Sequence, residues 1–216
     1  MARVPSPRRS RARRARHSSL VDAAEAVFAE RGVGGASMDA VAARAEVSKG
    51  LAYTYFADKG DLCDAVAARA LRRLRAALAE AVRQPAPDAF GRLTALGQAY
   101  AAFATDRPAD FALLEYRVGQ APPYAAGSHA AVCHRVTLGL FSLARQTLRA
   151  GLADGSVRPG LDPDRAALAL WSGLHGFVAV SLRSDVQAWY GVERAVLLAD
   201  GLGLLLDGVR PCPPPH

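Results

Sequence analysis

The residues best suited to chemistry lie in one stretch, 37–62, which reads SMDAVAARAEVSKGLAYTYFADKGDL. Ser37 and Ser48 each have a hydroxyl that can cap a helix by accepting a backbone N–H. The spacing predicts a short helix after Ser37, a tight turn, and a second helix of barely two turns after Ser48. Because so short a helix is not stable alone, it must be held by packing.

The same stretch carries side chains that suit contact with DNA. Val47, Ala52 and Phe56 are placed to bury against the preceding helices, so the residues between them face outward. A lysine at the start of such a helix can meet base edges, a glycine allows close backbone approach, and hydroxyls can reach phosphates. The alternative is a solvated helical hairpin with its tyrosines in the core. The predicted DNA contacts are Ser37, Ser48, Lys49, Gly50, Leu51, Tyr53, Thr54, Tyr55 and Lys59.

The positive charge is concentrated at the N-terminus. The chain has 27 basic and 20 acidic residues, and residues 1–16 contain no acid. The remainder is close to neutral, because seven of the basic residues lie in this segment: Arg3, Arg8, Arg9, Arg11, Arg13, Arg14 and Arg16. Such a segment is expected to be disordered alone and to suit a polyanion. The alternative is a solvated leader with no partner.

Composition restricts the fold class. The chain has 216 residues and 51% hydrophobic content, with Ala, Leu and Arg dominant, which predicts an all-α protein of about nine helices. The N-terminus lacks the apolar segment of a signal peptide. Residues 166–182 are uncharged but short for a membrane span, so we expect a buried helix there and no membrane partner. The widely spaced Cys63, Cys133 and Cys212 indicate no disulfide framework and a reducing, cytoplasmic setting.

Apolar periodicity and capping residues divide the chain into segments. We expect a disordered arm at 1–16, a helix-turn-helix DNA-binding domain at 17–64, a ligand-binding and dimerisation domain at 65–210, and a disordered tail at 211–216. Gly32 is expected to end the first helix. The predicted helices are 18–31, one after Ser37, one after Ser48, 58–83, 88–105, 108–119, 128–153, 163–183 and 192–209.

Residues 20–66 resemble the DNA-binding domain of the tetracycline-repressor (TetR) family of bacterial regulators. The resemblance is carried by Ala23-Ala24, Phe28, Glu30, Gly32, Ser37-Met38, Val41-Ala42, Val47-Ser48-Lys49-Gly50, Tyr53, Tyr55-Phe56, Lys59 and Leu62. It implies an all-helical homodimer that reads an inverted-repeat operator in double-stranded DNA. In such proteins the C-terminal domain dimerises and binds a small molecule. In the C-terminal half, Trp171, Leu174, His175 and Gly176 resemble the signature of the Trp-His-Gly subgroup.

The remaining helices offer candidates for these two further roles. Aromatic stripes are more often plain core than pocket, but they supply the candidate ligand-binding residues, which are Tyr100, Phe103, Phe111, Leu114, Tyr116, His134, Trp171 and His175. Apolar residues of the last two predicted helices supply a candidate four-helix dimer interface. The candidate interface residues are Leu174, Val178, Ala195, Ala199, Leu202 and Leu206.

Together these observations favour a homodimeric repressor that a small, apolar effector releases from DNA. An enzyme is the rival class, and it would need paired carboxylates, a Ser/His/Asp set or a metal cluster. We find none in the sequence, so we expect no catalysis, no cofactor and no metal. His129, Cys133 and His134 are close together, but their spacing does not match a metal-ligand pattern. A regulator or activator of the same fold that has no effector remains the alternative.

Overall fold

The computed structural model describes residues 7–117 and 123–211, and all the regular secondary structure within those ranges is helical. This confirms the all-α fold class. The helices are α1 (Pro7–Gly35), α2 (Met38–Arg44), α3 (Lys49–Tyr53), α4 (Lys59–Arg83), α5 (Ala89–Asp106), α6 (Pro108–Arg117), α7 (His129–Asp154), α8 (Pro163–Ser181), α9 (Ser184–Tyr190) and α10 (Arg194–Asp207). The short α9 has no counterpart among the helices expected from the sequence.

Helix α1 begins earlier than the sequence predicts. Residues 7–16 are helical and continuous with the rest of α1, which corrects the expectation of a disordered arm for this part of the N-terminus. The physical reason is that Ala and Arg are strong helix formers, and no Gly or Pro interrupts residues 8–31. Gly32 takes a left-handed conformation (φ 68°), so the helix kinks where the sequence predicts its end. Residues 1–6 and 212–216 lie outside the described residues, and so does Cys212.

Two compact units make up the chain. The first comprises residues 1–71 and 109–135, and the second comprises 72–108 and 136–216. Helices α4 and α7 therefore each contribute one end to each unit. The first unit includes α6 and the start of α7, whereas the sequence places everything from residue 65 to 210 in a single C-terminal domain. Sequence adjacency hides this grouping, because α6 follows α5 directly but packs with the N-terminal helices.

The core of the first unit holds the two short helices in place. It contains apolar residues of α1, α2 and α4 together with Ala52 of α3, and Phe56 lies in it with 1% of its surface exposed. Val47 and Tyr55 pack against it and are half-buried. The predicted burial of Ala52 and Phe56 is thus confirmed, and Val47 is partly covered. Burying a side chain as large as that of Phe56 stabilises the fold by about 1.5–3 kcal/mol. Burial of this kind stabilises α3, whose five residues could not form a stable helix alone.

Candidate nucleic-acid interface

Helices α2 and α3 are defined by two serine caps and a tight turn. The Ser37 Oγ accepts from the Ala40 N–H, and the Ser48 Oγ accepts from the Leu51 N–H, both at 3.2 Å. Between the helices, the N–H of Val47 donates to Ala42 and that of Glu46 donates to Ala43, the hydrogen-bond pattern of a Schellman turn. Glu46 takes the left-handed conformation usually given to glycine (φ 54°). This turn fixes the direction in which α3 leaves α2.

The outward side of α3 carries the side chains expected there. Lys49, Gly50, Tyr53 and Thr54 are exposed, and Leu51 is half-buried. The Thr54 hydroxyl donates to the Leu51 carbonyl at 2.7 Å, so it stabilises the end of α3. The inward side is Ala52, with no exposed surface. The helix therefore presents a cation, a phenol and a hydroxyl to the outside while one small apolar residue anchors it.

Gly50 has no structural reason within the chain to be glycine. A Cβ added there would meet nothing within 4 Å, and its φ is not in the left-handed region. Glycine inside a helix costs roughly 0.5–1 kcal/mol relative to alanine. Glycine at this position therefore costs stability and leaves open space beside the helix. Such a position suits the close approach of another molecule to the start of α3.

Lys49 forms an ion pair with Asp39, which is not among the residues predicted from the sequence. Its ammonium lies 2.8 Å from a carboxylate oxygen of Asp39, in the first turn of α2. The hydrogen bond and the charge of Asp39 raise the pKa of Lys49 above its ordinary value. Both side chains are exposed, so the pair contributes little stability. Asp39 nevertheless orients one of the chain's two lysines, and contact of Lys49 with DNA would have to compete with it.

Lys59 and Tyr55 already make contacts within the chain, in addition to the DNA contacts predicted from the sequence. The Lys59 Nζ donates to the backbone carbonyls of Gly34 (3.1 Å) and Ala36 (2.8 Å), which ties the start of α4 to the end of α1. An ammonium has three donors, so one remains for a phosphate. Tyr55 packs on the core, and the guanidinium of Arg13 lies 6.0 Å from its ring centroid. Contacts from Lys59 and Tyr55 to DNA remain predictions.

Hydrogen bonds among two histidines and an aspartate connect three helices of the first unit. The Nε2 atoms of His17 (α1) and His129 (α7) are 3.1 Å apart, and the His129 Nδ1 is 2.8 Å from an Asp61 (α4) carboxylate oxygen. If the His129 Nδ1–H donates to ionised Asp61, its Nε2 accepts from His17. One proton therefore fits between the two rings, and a second would set two donors against each other.

This cluster gives a prediction for pH. Burial, followed by the charges of His129, Arg69 and Arg13, lowers the pKa of His17 below 6.5, while Asp61 opposes the shift. Because the folded pKa is depressed, the stability that neutral His17 provides is complete above pH 6.5 and is lost as the pH falls through the folded value. We expect the free energy of unfolding, measured with urea at pH 7.5 and 5.5, to fall more for the wild type than for His17→Gln. Equal falls would contradict a role for this pair.

The predicted ligand-binding residues are divided between the two units. Phe111, Leu114, Tyr116 and His134 belong to the first, where Phe111 is buried and Tyr116 is half exposed. In the second unit the Tyr100 hydroxyl lies 2.7 Å from the His175 Nδ1, and the rings of His175 and Trp171 stack. Tyr100 and Phe103 of α5 are buried. The structure thus brings Tyr100, Trp171 and His175 together as one polar and aromatic cluster.

An open groove runs along the second unit between α5 and α10, with a volume of about 350 Å³. Phe90 lies near one end, with the Arg210 guanidinium 4.2 Å from its ring centroid. None of the predicted ligand-binding residues lines this groove. Its walls instead include three residues from the predicted dimer interface, Ala199, Leu202 and Leu206.

Part of the predicted dimer interface is already covered within the single chain. Val178, Leu202 and Leu206 are buried within the single chain, at 0%, 9% and 6% exposure. Leu202 packs directly over Gly97 of α5, so that a Cβ on Gly97 would collide with it. Leu174 is half-buried, whereas Ala195 and Ala199 are exposed. Helix α10 carries leucines on several sides. Leu202 and Leu206 pack in the core of the single chain, so they are not exposed to a second copy.

The structure also bears on metal binding and on membrane insertion. Within residues 7–117 and 123–211, no group of three or more His, Cys, Asp or Glu side chains is arranged to hold a metal ion. Cys63 and Cys133 are buried and are not joined in a disulfide, and the Cys133 Sγ lies 3.1 Å from the Asp64 carbonyl oxygen. In the same part of the chain, no helix combines the length and apolar character needed to cross a membrane.

Several solved structures share this fold. A protein of unknown function from Rhodococcus sp. RHA1 is 26% identical, with 90% of this chain and 95% of that one covered and a TM-score of 0.73. The transcriptional regulator FadR from Bacillus subtilis, in complex with stearoyl-CoA, is 18% identical (90% and 100% covered, TM-score 0.69). The ketosteroid transcriptional regulator of Mycobacterium tuberculosis is 21% identical (90% and 95% covered, TM-score 0.63). A comparison with curated proteins gives no significant match.

Family models match both parts of the chain. Residues 20–66 match the bacterial regulatory proteins of the tetR family, and residues 93–199 match a tetracyclin repressor-like C-terminal domain. The second match contains Trp171, His175 and Gly176, although membership of the Trp-His-Gly subgroup remains a prediction. Because the first match coincides with the serine-capped helices and the second covers most of the remaining chain, this protein belongs to the tetR family of DNA-binding transcriptional regulators.

Proposed function

We propose that this protein is a homodimeric repressor that binds an inverted-repeat operator and leaves it when a small, largely apolar molecule binds. The observation that carries the proposal is the exposed start of α3, where Lys49 and Tyr53 flank a glycine with open space around it. Base edges in the major groove offer acceptors for the Lys49 ammonium, and phosphates offer acceptors for the Tyr53 hydroxyl.

The proposed dimer uses the outward faces of α8 and α10. Along α8, Leu168, Ser172, Gly176 and Val180 are exposed at intervals of four residues. A Cβ on Gly176, or on Gly203 of α10, would meet nothing within 4 Å, whereas one on Gly97 or Gly201 would collide with a neighbouring helix of the same chain. Packing within the chain therefore does not require glycine at Gly176 or Gly203. Glycine at these two mid-helix positions suits close contact with helices of a second copy.

The apolar face of α10 supports the same assignment. Leu204 is 71% exposed and Val196 is 48% exposed. Leaving such side chains in water forgoes about 1.5–3 kcal/mol each. Since α8 and α10 pack against each other, their outward faces together offer the four-helix arrangement that an isologous dimer requires. This surface replaces Val178, Leu202 and Leu206 as the proposed interface.

The effector is proposed to contact the cluster of Tyr100, Trp171 and His175. Its mixture of aromatic surface and one polar pair resembles the lining of small-molecule sites, which are mainly apolar with a few polar groups. Two structural relatives support an apolar effector, since one was solved with stearoyl-CoA and the other is a ketosteroid regulator. Binding that favours the DNA-incompetent state would lower operator affinity, and DNA would lower effector affinity by the same factor.

The test is selection of bound duplexes from a random pool, followed by affinity measurements on the best sequence. We expect one inverted repeat, bound by two copies, with an affinity that falls as salt rises because phosphate contacts release counterions. Stearoyl-CoA and a ketosteroid are the first effector probes, with reduced operator affinity as the expected response. Equal binding to all duplexes would overturn the operator assignment, and unchanged operator affinity with both probes would count against this effector class.

A further inference from the structure

The N-terminal part of α1 carries six exposed arginines. Residues 8–16 are helical, and each arginine in this segment is exposed: Arg8, Arg9, Arg11, Arg13, Arg14 and Arg16. The first acidic residue of the chain is Asp22. Within residues 7–117 and 123–211, no carboxylate forms an ion pair with any of the six. This segment is therefore a concentrated positive surface with no carboxylate partner in the described part of the chain.

Three of these arginines continue the buried face of the helix. Arg9, Arg13 and Arg16 are spaced i, i+4, i+7, so they share one side of α1. Leu20, Ala24 and Val27 extend the same stripe, and all three are buried in the core of the first unit. Arg11 lies nearly opposite the centre of this side, roughly 170° away, and Arg8 and Arg14 lie roughly 110° and 130° from it at 3.6 residues per turn. The stripe of Arg9, Arg13 and Arg16, here called the arginine stripe, thus faces the same way as the core-facing side of α1.

A direct contact joins the arginine stripe to the interface described above. The Arg13 guanidinium lies 6.0 Å from the centroid of the Tyr55 ring. Tyr55 follows α3 by two residues and is one of the predicted phosphate contacts. The middle of the arginine stripe therefore lies beside Tyr55, just beyond the C-terminal end of α3. From Arg9 to Arg16 the stripe extends about 10 Å, at 1.5 Å per residue.

We infer that the arginine stripe is a second DNA-contacting surface that binds backbone phosphates beside the half-site read by α3. This inference rests on the proposed operator binding. Arginine guanidinium groups suit phosphate oxygens in both charge and geometry. A helix about 10–12 Å wide does not fit a minor groove about 6 Å wide, so the helical segment contacts phosphates along the groove edge without entering the groove. The contact therefore adds affinity without adding base preference.

Two matched triple variants of the full chain test this inference. One is Arg9→Gln, Arg13→Gln, Arg16→Gln in the stripe, and the other is Arg8→Gln, Arg11→Gln, Arg14→Gln on the opposite side. Each removes three positive charges, and glutamine keeps a similar helix propensity. Affinity for the selected operator and for a scrambled duplex is measured between 50 and 200 mM salt. The slope of log affinity against log salt is negative, and removing one arginine–phosphate interaction reduces its magnitude by about 0.9. The slope for the stripe variant is therefore expected to become shallower by up to about 2.7 per protomer.

The outcomes separate the stripe from general charge. The inference predicts that the stripe variant loses affinity by the same factor for both duplexes, and that the opposite-side variant changes the slope clearly less. Identical slopes for the two variants, or a stripe variant parallel to the wild type, would overturn it. A loss that depends on A·T pairs beside the half-site would also overturn it, because that pattern indicates minor-groove reading. If the wild type itself does not prefer the operator over the scrambled duplex, the proposed function fails, while the slope comparison still reports on the stripe.

Discussion

Replacing Lys49 and Tyr53 together by alanine is expected to remove selective operator binding while leaving the fold intact. Loss of a lysine contact to a guanine edge costs about 1–3 kcal/mol, and loss of a phenol–phosphate hydrogen bond costs about 0.5–1.5 kcal/mol. A combined loss of about 1.5–4.5 kcal/mol per half-site corresponds to a roughly 10- to 1,600-fold weaker interaction. Both side chains are exposed in the free protein, so the melting temperature should change little. Titration of the operator and of a scrambled duplex measures the effect.

Arg44→Ala is the matched control for this double variant. Arg44 is an exposed cation on α2, as Lys49 is on α3, but its guanidinium pairs with Glu30 of α1. Asp39 and Arg44 are five residues apart on α2, which places them about 140° apart around the helix. Arg44 therefore lies away from the side where Asp39 holds Lys49. If Arg44→Ala weakens binding as much as the double variant, or if the double variant still selects the operator, the assignment of α3 as the reading helix is wrong.

The local features of the DNA-binding part were predictable because their causes are local. A serine followed by an apolar helical pattern predicts a cap, and Ser37 and Ser48 both cap helices in the structure. Burial of Ala52, in α3, and of Phe56, just after it, follows from the need of so short a helix to be held by packing. The ion pair between Asp39 and Lys49 was not predicted, because its partners lie on two helices whose relative direction depends on the turn at Glu46.

The other differences arise where composition supports more than one structure. Charge alone suggests a disordered N-terminus, but arginine is a good helix former, and residues 8–31 contain no residue that breaks a helix. In α10 the segment LLADGLGLLLD has leucines on several sides, so periodicity cannot say which stripe faces the core of the chain. The aromatic candidates for the effector site are spread over several helices, and only the packing shows that Tyr100, Trp171 and His175 meet.

Leu204→Arg is expected to convert the protein from a dimer to a monomer and to reduce operator binding to the weak binding of a single half-site. Leu204 is 71% exposed, so the substitution leaves the core of each chain intact. At the proposed interface it would place an unpaired charge in an apolar contact, at a cost on the order of 3–5 kcal/mol. The dimer dissociation constant would then rise roughly 150- to 4,000-fold. Light scattering across micromolar concentrations and operator titration measure the two effects.

The choice of position decides whether this experiment is informative. Leu202→Arg would put the charge into the contact between α10 and α5 inside one chain, so loss of binding there could follow from unfolding alone. Leu138→Arg is the better control, because Leu138 is 51% exposed on α7, outside the proposed interface, and the change in charge is identical. We expect the Leu138 variant to remain dimeric and to bind the operator. A Leu204→Arg protein that still dimerises, or a wild type that is monomeric at micromolar concentration, would remove α8 and α10 as the dimer surface. Since each half-site contributes only part of the affinity, a folded monomer should bind a single half-site weakly and should no longer distinguish the inverted repeat from one isolated copy of it.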